Sequence, residues 1–170
     1  MLEESLATKN RIFLPRYTKC FVCGKTNPIG LDLTFSFHNG RIETQFTPLP
    51  PHCGYHSIVH GGILATLLDE CMGWTGILSR PVLAKSVELT IRYKESALVH
   101  QPLLIWGELV SDRKRLLTAR GGVENAEGIL LCSGEGKYII LPPDEQRAVE
   151  EEAQWGDTLQ QSYAQIQRLR

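Results

Sequence analysis

His60, Gly61 and Gly62 open an apolar run that ends in two carboxylates, Asp69 and Glu70. A helix begun there would present unpaired backbone N–H groups and a positive dipole end, suited to an oxygen acquiring negative charge. Each glycine inside a helix costs about 1 kcal/mol relative to alanine. A pair of them is therefore best explained if something must approach the backbone closely. The competing explanation is that Gly61 and Gly62 only let the helix pack against a neighbouring strand.

Asp69 follows His60 by nine residues. Along a helix that is two and a half turns, about 13 Å, and the opposite side of the axis. Asp69 therefore cannot serve the start of its own helix. If both groups act on one substrate, two subunits must bring them together, and a two-fold dimer makes two equal sites. Such a carboxylate acts either as general base toward water or as a direct nucleophile, and a partly apolar setting would raise its pKa. The plain alternative is that Asp69 and Glu70 are a solvated pair at a kink or a salt bridge at the dimer contact. Glu70 is adjacent and could stand in for Asp69 as the acid, but it points about 100° away around the helix.

The elements that must position these groups are legible. Leu31, Leu33, Phe35 and Phe37 alternate with polar residues, Asn39-Gly40 is a hairpin turn, and "IETQF" returns as a second strand. Apolar residues at 63, 64, 67, 68, 71, 74, 77 and 78 keep helical spacing until Ser79-Arg80-Pro81. This predicts one buried helix of about five turns. Four strands follow, in "AKSVELTIRY", "PLLIWGELV", "RLLTARGGVE" and "GILLCSGEGKYIIL", and their short turns predict an antiparallel meander. Residues 1–19 read as an irregular N-terminal arm, 20–142 as the domain, and 143–170 as an amphipathic helix interrupted at Gly156, with Trp155, Leu159, Tyr163, Ile166 and Leu169 on one face. The class is α+β, an antiparallel sheet wrapped around one long helix.

Composition narrows the function. The 170 residues carry a formal charge of −1 and are 42% hydrophobic, as expected of one globular domain. The only dense basic patch, "DRKRL", reads as a hairpin turn, so nucleic acid is not expected as a partner. No stretch approaches a membrane span, no leader is apparent, and five cysteines are an odd number, which together suggest a cytoplasmic protein with free thiols. P-loop, GxSxG and GxGxxG motifs are missing, removing nucleotide triphosphate, serine-hydrolase and dinucleotide readings. Cys20 and Cys23 form C-x-x-C, and His52-Cys53 follow, four soft ligands that could gather around zinc. The second pair is adjacent, and adjacent residues seldom both reach one tetrahedral ion, so no metal is expected.

"GYHSIVHGGILATLLDECMG", preceded by "CFVCGKTNPIGL" and followed by "VELTIRYKESAL", resembles the hotdog-fold thioesterases, in particular the PaaI-like group. The resemblance covers residues 20 to about 140. It implies an acyl-CoA thioesterase needing no cofactor, coenzyme A being part of the substrate, and a homodimer or dimer of dimers. It assigns the polarising N–H to Gly61, the acid to Asp69, and a water-orienting hydroxyl to Ser86. Gly62 would border the substrate. His60 would either touch substrate or bond its own backbone. The family's Asn or Gln six residues before the histidine is Gly54 here, a departure that Tyr55 or His56 could offset. Arg92, Lys94, Arg113, Lys114 and Arg115 are candidates for the coenzyme A phosphates. The alternative from another class is a non-catalytic hotdog module that binds acyl-CoA or a partner protein, with Trp155, Leu159 and Tyr163 as its recognition stripe. Dehydratase chemistry on the same fold is a weaker third reading.

Overall fold

The computed structural model describes residues 11–170, apart from the side chains of Gln154 and Trp155. Helix α1 (Gly61–Gly73) continues as a 3-10 turn (Trp74–Leu78), and together they span the five turns the spacing predicts. Leu64, Leu67, Leu68, Cys71 and Met72 of α1 are buried. Burying each leucine contributes about 1.5–3 kcal/mol.

A seven-stranded antiparallel sheet wraps this helix. Its strands are β1 (Ile12–Phe13), β3 (Ser36–His38), β4 (Arg41–Phe46), β7 (Ala84–Tyr93), β8 (Leu103–Arg113), β9 (Leu116–Glu124) and β10 (Leu130–Ile140), in the order β1-β3-β4-β8-β9-β10-β7. Strands β2 (Arg16–Tyr17) and β11 (Ala153–Trp155) form one two-stranded ribbon, and β5 (Cys53–Tyr55) and β6 (Ile58–Val59) another. This is the α+β hotdog arrangement. Helix α1 lies across β8, β9, β10 and β7. Gly107, Gly121 and Gly134 stand side by side in register on β8, β9 and β10. A Cβ on Gly107 would come within 2.9 Å of the Cys71 carbonyl oxygen, and one on Gly121 within 3.0 Å of Met72. The row is a trough in which the helix lies at close range.

Four features depart from the sequence reading. The four late strands are not a simple meander, because β7 pairs with β10 at the sheet's far edge rather than with β8. Residues 31–35 lie outside the sheet, with Asp32 at φ +53°: Leu31 and Leu33 donate their amides to Phe21 and Val22 carbonyls, while Leu33, Phe35 and Phe37 are buried as the alternation requires. The N-terminal arm is not wholly irregular, since β1 and β2 pair with β3 and β11; residues 1–10 lie outside the described residues. The terminal segment is two helices, α2 (Pro143–Glu150) and α3 (Leu159–Leu169), separated by β11 and by Gly156 with φ +88°.

Helix α3 starts in a capping box between Thr158 and Gln161. It buries Leu159, Ser162 and Ile166 on the domain, and Tyr163 donates its hydroxyl to the Ser79 carbonyl at 3.1 Å. Leu159, Tyr163 and Ile166 of the apolar stripe are thus spent on the chain's own fold, while Leu169 stays exposed; the Trp155 side chain lies outside the described set. Among the described residues no helix is long and apolar enough to cross a membrane.

Candidate active site

Two cavities flank the two ends of α1, and β7 runs from one to the other. The first, about 510 Å³, is bordered by Asp69 and Glu70 of α1, Ala84, Lys85 and Ser86 at the start of β7, Tyr138 of β10, and Tyr17 and Cys20 of the N-terminal segment. The second, about 400 Å³, is bordered by His60 and Gly61 at the helix start, Gly54 and Tyr55 before it, and Tyr93 and Lys94 at the end of β7. The two share no residue.

Asp69 is held from two sides. Ser86 Oγ lies 3.4 Å from Asp69 Oδ2, and the Tyr138 hydroxyl lies 3.3 Å from Oδ1 and 3.2 Å from the Asp69 carbonyl oxygen. Burial pushes the Asp69 carboxyl above its usual range, and the hydrogen bonds from Tyr138 and Ser86 pull against it. Tyr138 itself is buried, and burial together with the Asp69 charge raises its own pKa, keeping it a hydroxyl donor. The arrangement offers a carboxylate facing an open cavity with a serine hydroxyl beside it, suited to holding and deprotonating a water.

At the other end, the first four amides of α1 have different fates. Ile63 and Leu64 donate to the His60 carbonyl at 2.9 and 3.4 Å, and Gly62 donates to His60 Nδ1 at 2.9 Å. Among the described residues the Gly61 N–H alone of the four has no acceptor. His60 is therefore an N-cap, the backbone-bonding role, and it uses the Gly62 amide for that. The glycines also have packing reasons. A Cβ on Gly62 would sit 2.9 Å from His60 Nδ1, and one on Gly61 would sit 3.2 Å from the Tyr93 ring, whose hydroxyl bonds the Gly61 carbonyl at 2.9 Å.

Tyr55 and Lys94 join His60 and Gly61 around the second cavity, whereas Gly62, His56, Arg92 and Arg113 border neither. His56 has φ +48° and accepts a bond from the Cys53 thiol through its carbonyl. Arg92 pairs with Glu135 on β10, and Arg113 ends β8.

Two residues of the first cavity escape sequence reasoning. A tyrosine in mid-strand reads as core, so nothing flagged Tyr138. Glu70 was expected to point away; instead it meets the N-terminal segment, where the Cys20 thiol lies 3.6 Å from its Oε1. Burial and the neighbouring Cys20 charge push the Glu70 carboxyl up to about 8. Cys20 is drawn the other way: the Cys23 thiol and two backbone amides favour its thiolate against burial. The four-ligand grouping weighed from sequence does not form, because His52 accepts from the Leu49 amide at 2.9 Å and Cys53 bonds His56. Cys20, Cys23 and Glu70 gather instead, with their ligand atoms all within 4.8 Å of one another.

The fold and this site define a hotdog protein. Residues 56–132 match the family model of the thioesterase superfamily. A thioesterase superfamily protein of known structure is 26% identical at a TM-score of 0.66, with 71% of this chain and 60% of that one covered. The Streptococcus mutans protein solved with acetyl CoA is 24% identical at a TM-score of 0.58, covering 63% of this chain and 88% of that one. The PaaI protein of the Escherichia coli phenylacetic acid degradation operon is 17% identical at a TM-score of 0.61, covering 66% and 81%. No curated protein sequence matches the chain.

Proposed function

We propose that the chain is an acyl-CoA thioesterase whose sites are completed between two copies. The observation that carries this is the separation of the two active groups: the unpaired Gly61 N–H borders one cavity and Asp69 the other, at opposite ends of β7. Strand β7 is a ten-residue sheet edge with no buried residue, and its apolar positions Val87 and Tyr93 are 52% and 55% exposed. An exposed edge of this length invites pairing. Antiparallel pairing of two β7 strands about a two-fold axis sets the Ser86 end of one against the Tyr93 end of the other. Asp69 and Ser86 of one subunit then face Gly61 of its twin.

In that site the Gly61 N–H and the helix dipole polarise the thioester carbonyl and stabilise its oxyanion. Asp69 either takes a proton from a water oriented by Ser86, which adds to the carbonyl carbon, or adds directly to give an anhydride that water then opens. The C–S bond breaks and the thiolate of coenzyme A leaves to collect a proton. Lys94 and Tyr55, which border the second cavity, suit the phosphates of coenzyme A and the arm that carries them. Coenzyme A enters as part of the substrate, and no other cofactor takes part. The five free cysteines fit a cytoplasmic setting.

The test is hydrolysis of acyl-CoAs of graded chain length and of aryl-CoAs by the parent and by Asp69→Asn. The variant should lose about 10²–10⁴-fold in kcat; parental turnover would remove Asp69 from the mechanism. Co-expressing Asp69→Asn with Gly61→Ala should restore up to about a quarter of parental activity, since half the dimers are mixed and each rebuilds one of two sites. No rescue would place both groups within one subunit.

A further inference from the structure

We infer that Cys20, Cys23 and Glu70 form a binding site for one zinc-class divalent cation, which fastens the N-terminal segment to the helix that carries Asp69. This does not depend on the thioesterase reading.

The loop from Cys20 to Gly24 reads C-x-x-C-G and is folded around a sulfur. The amides of Val22 and Cys23 both donate to Cys20 Sγ at 3.3 Å. The Gly24 amide donates to the Cys20 carbonyl at 3.0 Å, and a Cβ on Gly24 would fall 2.2 Å from that oxygen, so the turn admits only glycine there. Backbone amides aimed at a sulfur favour the thiolate, which is the form that ligates metal.

Glu70 reaches the same point from α1. In a tetrahedral zinc site with Zn–S near 2.3 Å and Zn–O near 2.1 Å, ligand atoms stand about 3.6–3.8 Å apart. The observed separation of Cys20 Sγ and Glu70 Oε1 is 3.6 Å, and all three ligand atoms lie within 4.8 Å of one another. Two thiolates and a carboxylate suit zinc rather than magnesium or calcium, which prefer all-oxygen cages.

A second observation points to a bound species. The Tyr17 hydroxyl borders the same cavity, is buried, and has no hydrogen-bond partner among the described residues. Leaving such a group unpaired is unfavourable. Three protein ligands leave one tetrahedral position open, and a water there would give the hydroxyl its partner. Tyr17 in turn stacks on Trp74 at 5.7 Å, so the cation would tie together the loop, the tyrosine and the end of α1.

The test uses the full chain, reduced and stripped of metal with a chelator, then titrated with Co(II) and back-titrated with Zn(II). We expect about one equivalent per chain, a thiolate-to-Co(II) charge-transfer band, tetrahedral d–d bands, and displacement of Co(II) by Zn(II). Cys20→Ser and Cys23→Ser should each diminish the charge-transfer band. Glu70→Gln should weaken binding by more than the about 100-fold that loss of an outer-shell partner costs. Cys53→Ser and His52→Asn should bind as the parent does. Should a variant fail to fold, the parent still decides. No Co(II) uptake, uptake without a thiolate band, or uptake abolished by Cys53→Ser each overturns the site. An intact Co(II) spectrum in a protein that hydrolyses no acyl-CoA would leave the site standing and remove the thioesterase reading alone.

Discussion

The hydroxyl of Tyr138 lies 3.3 Å from the carboxylate of Asp69 and 3.2 Å from its carbonyl oxygen, so one side chain on β10 braces both the acid and its backbone. Tyr138→Phe keeps the packing and removes the brace. Denaturant unfolding should register a loss of about 1 kcal/mol. Turnover should fall as well, since Asp69 then loses the contact to its Oδ1. Equal activity of parent and Tyr138→Phe would show that Asp69 needs no such bracing.

The Gly61–Tyr93 contact lets packing be separated from catalysis. Gly61→Ala places a Cβ 3.2 Å from the Tyr93 ring and so strains the helix start. In a Tyr93→Ala background that strain is gone. Adding Gly61→Ala there should leave the melting temperature nearly unchanged and still lower kcat, by about 10-fold or more, if the methyl obstructs the carbonyl. Unchanged kcat would mean that the glycine serves only the tyrosine.

Strand β7 should govern association. Val87 is 52% exposed near the middle of the strand. Val87→Glu would set two like charges near each other across a two-fold axis. Light scattering should report the mass of one chain, and activity should fall in step with dimer content. A monomeric variant with full turnover would sink the shared site.

Acid should expose the role of Asp112. It accepts from Ser79 Oγ at 2.8 Å and Arg80 Nε at 2.9 Å, tying the end of the central helix to β8. Burial raises the Asp112 pKa, but hydrogen bonds from Arg80 and Ser79 outweigh it and hold the carboxyl below its ordinary 3.8. A depressed folded pKa gives stability that is full above the unfolded value and lost as pH falls through the folded one. The stability gap between parent and Asp112→Asn should therefore be constant from pH 7 to about 5 and close below about pH 4. Because the Arg80 side chain is partly exposed to screening water, the gap should stay under about 1 kcal/mol. A gap that widened in acid would contradict this assignment.

Local pattern carried most of the elements. Asn39 and Gly40 both take positive φ, as their hairpin requires, and the boundaries of β7 fall where the alternation from Ala84 to Tyr93 begins and ends. Order in the sheet was not legible, because alternation encodes which face is buried and says nothing of which strand lies alongside. Leu31 and Leu33 show the same limit: their burial pattern is a strand's, yet their amides go to Phe21 and Val22. At the site, His60, Gly61 and Asp69 were visible because their spacing is local. Tyr138 and the pairing of Glu70 with Cys20 were not, since each depends on contacts across 69 and 50 residues of chain.

The trough of Gly107, Gly121 and Gly134 sets how deep the central rod sits, and Asp69 and Gly61 both ride on that rod. A methyl added at Gly107 would press on the Cys71 backbone and shift Asp69 and Gly61 together, like two keys soldered to one bar. Their mutual spacing would survive while their aim toward a neighbouring molecule would not. The positions most damaging to turnover therefore include ones that touch no ligand at all.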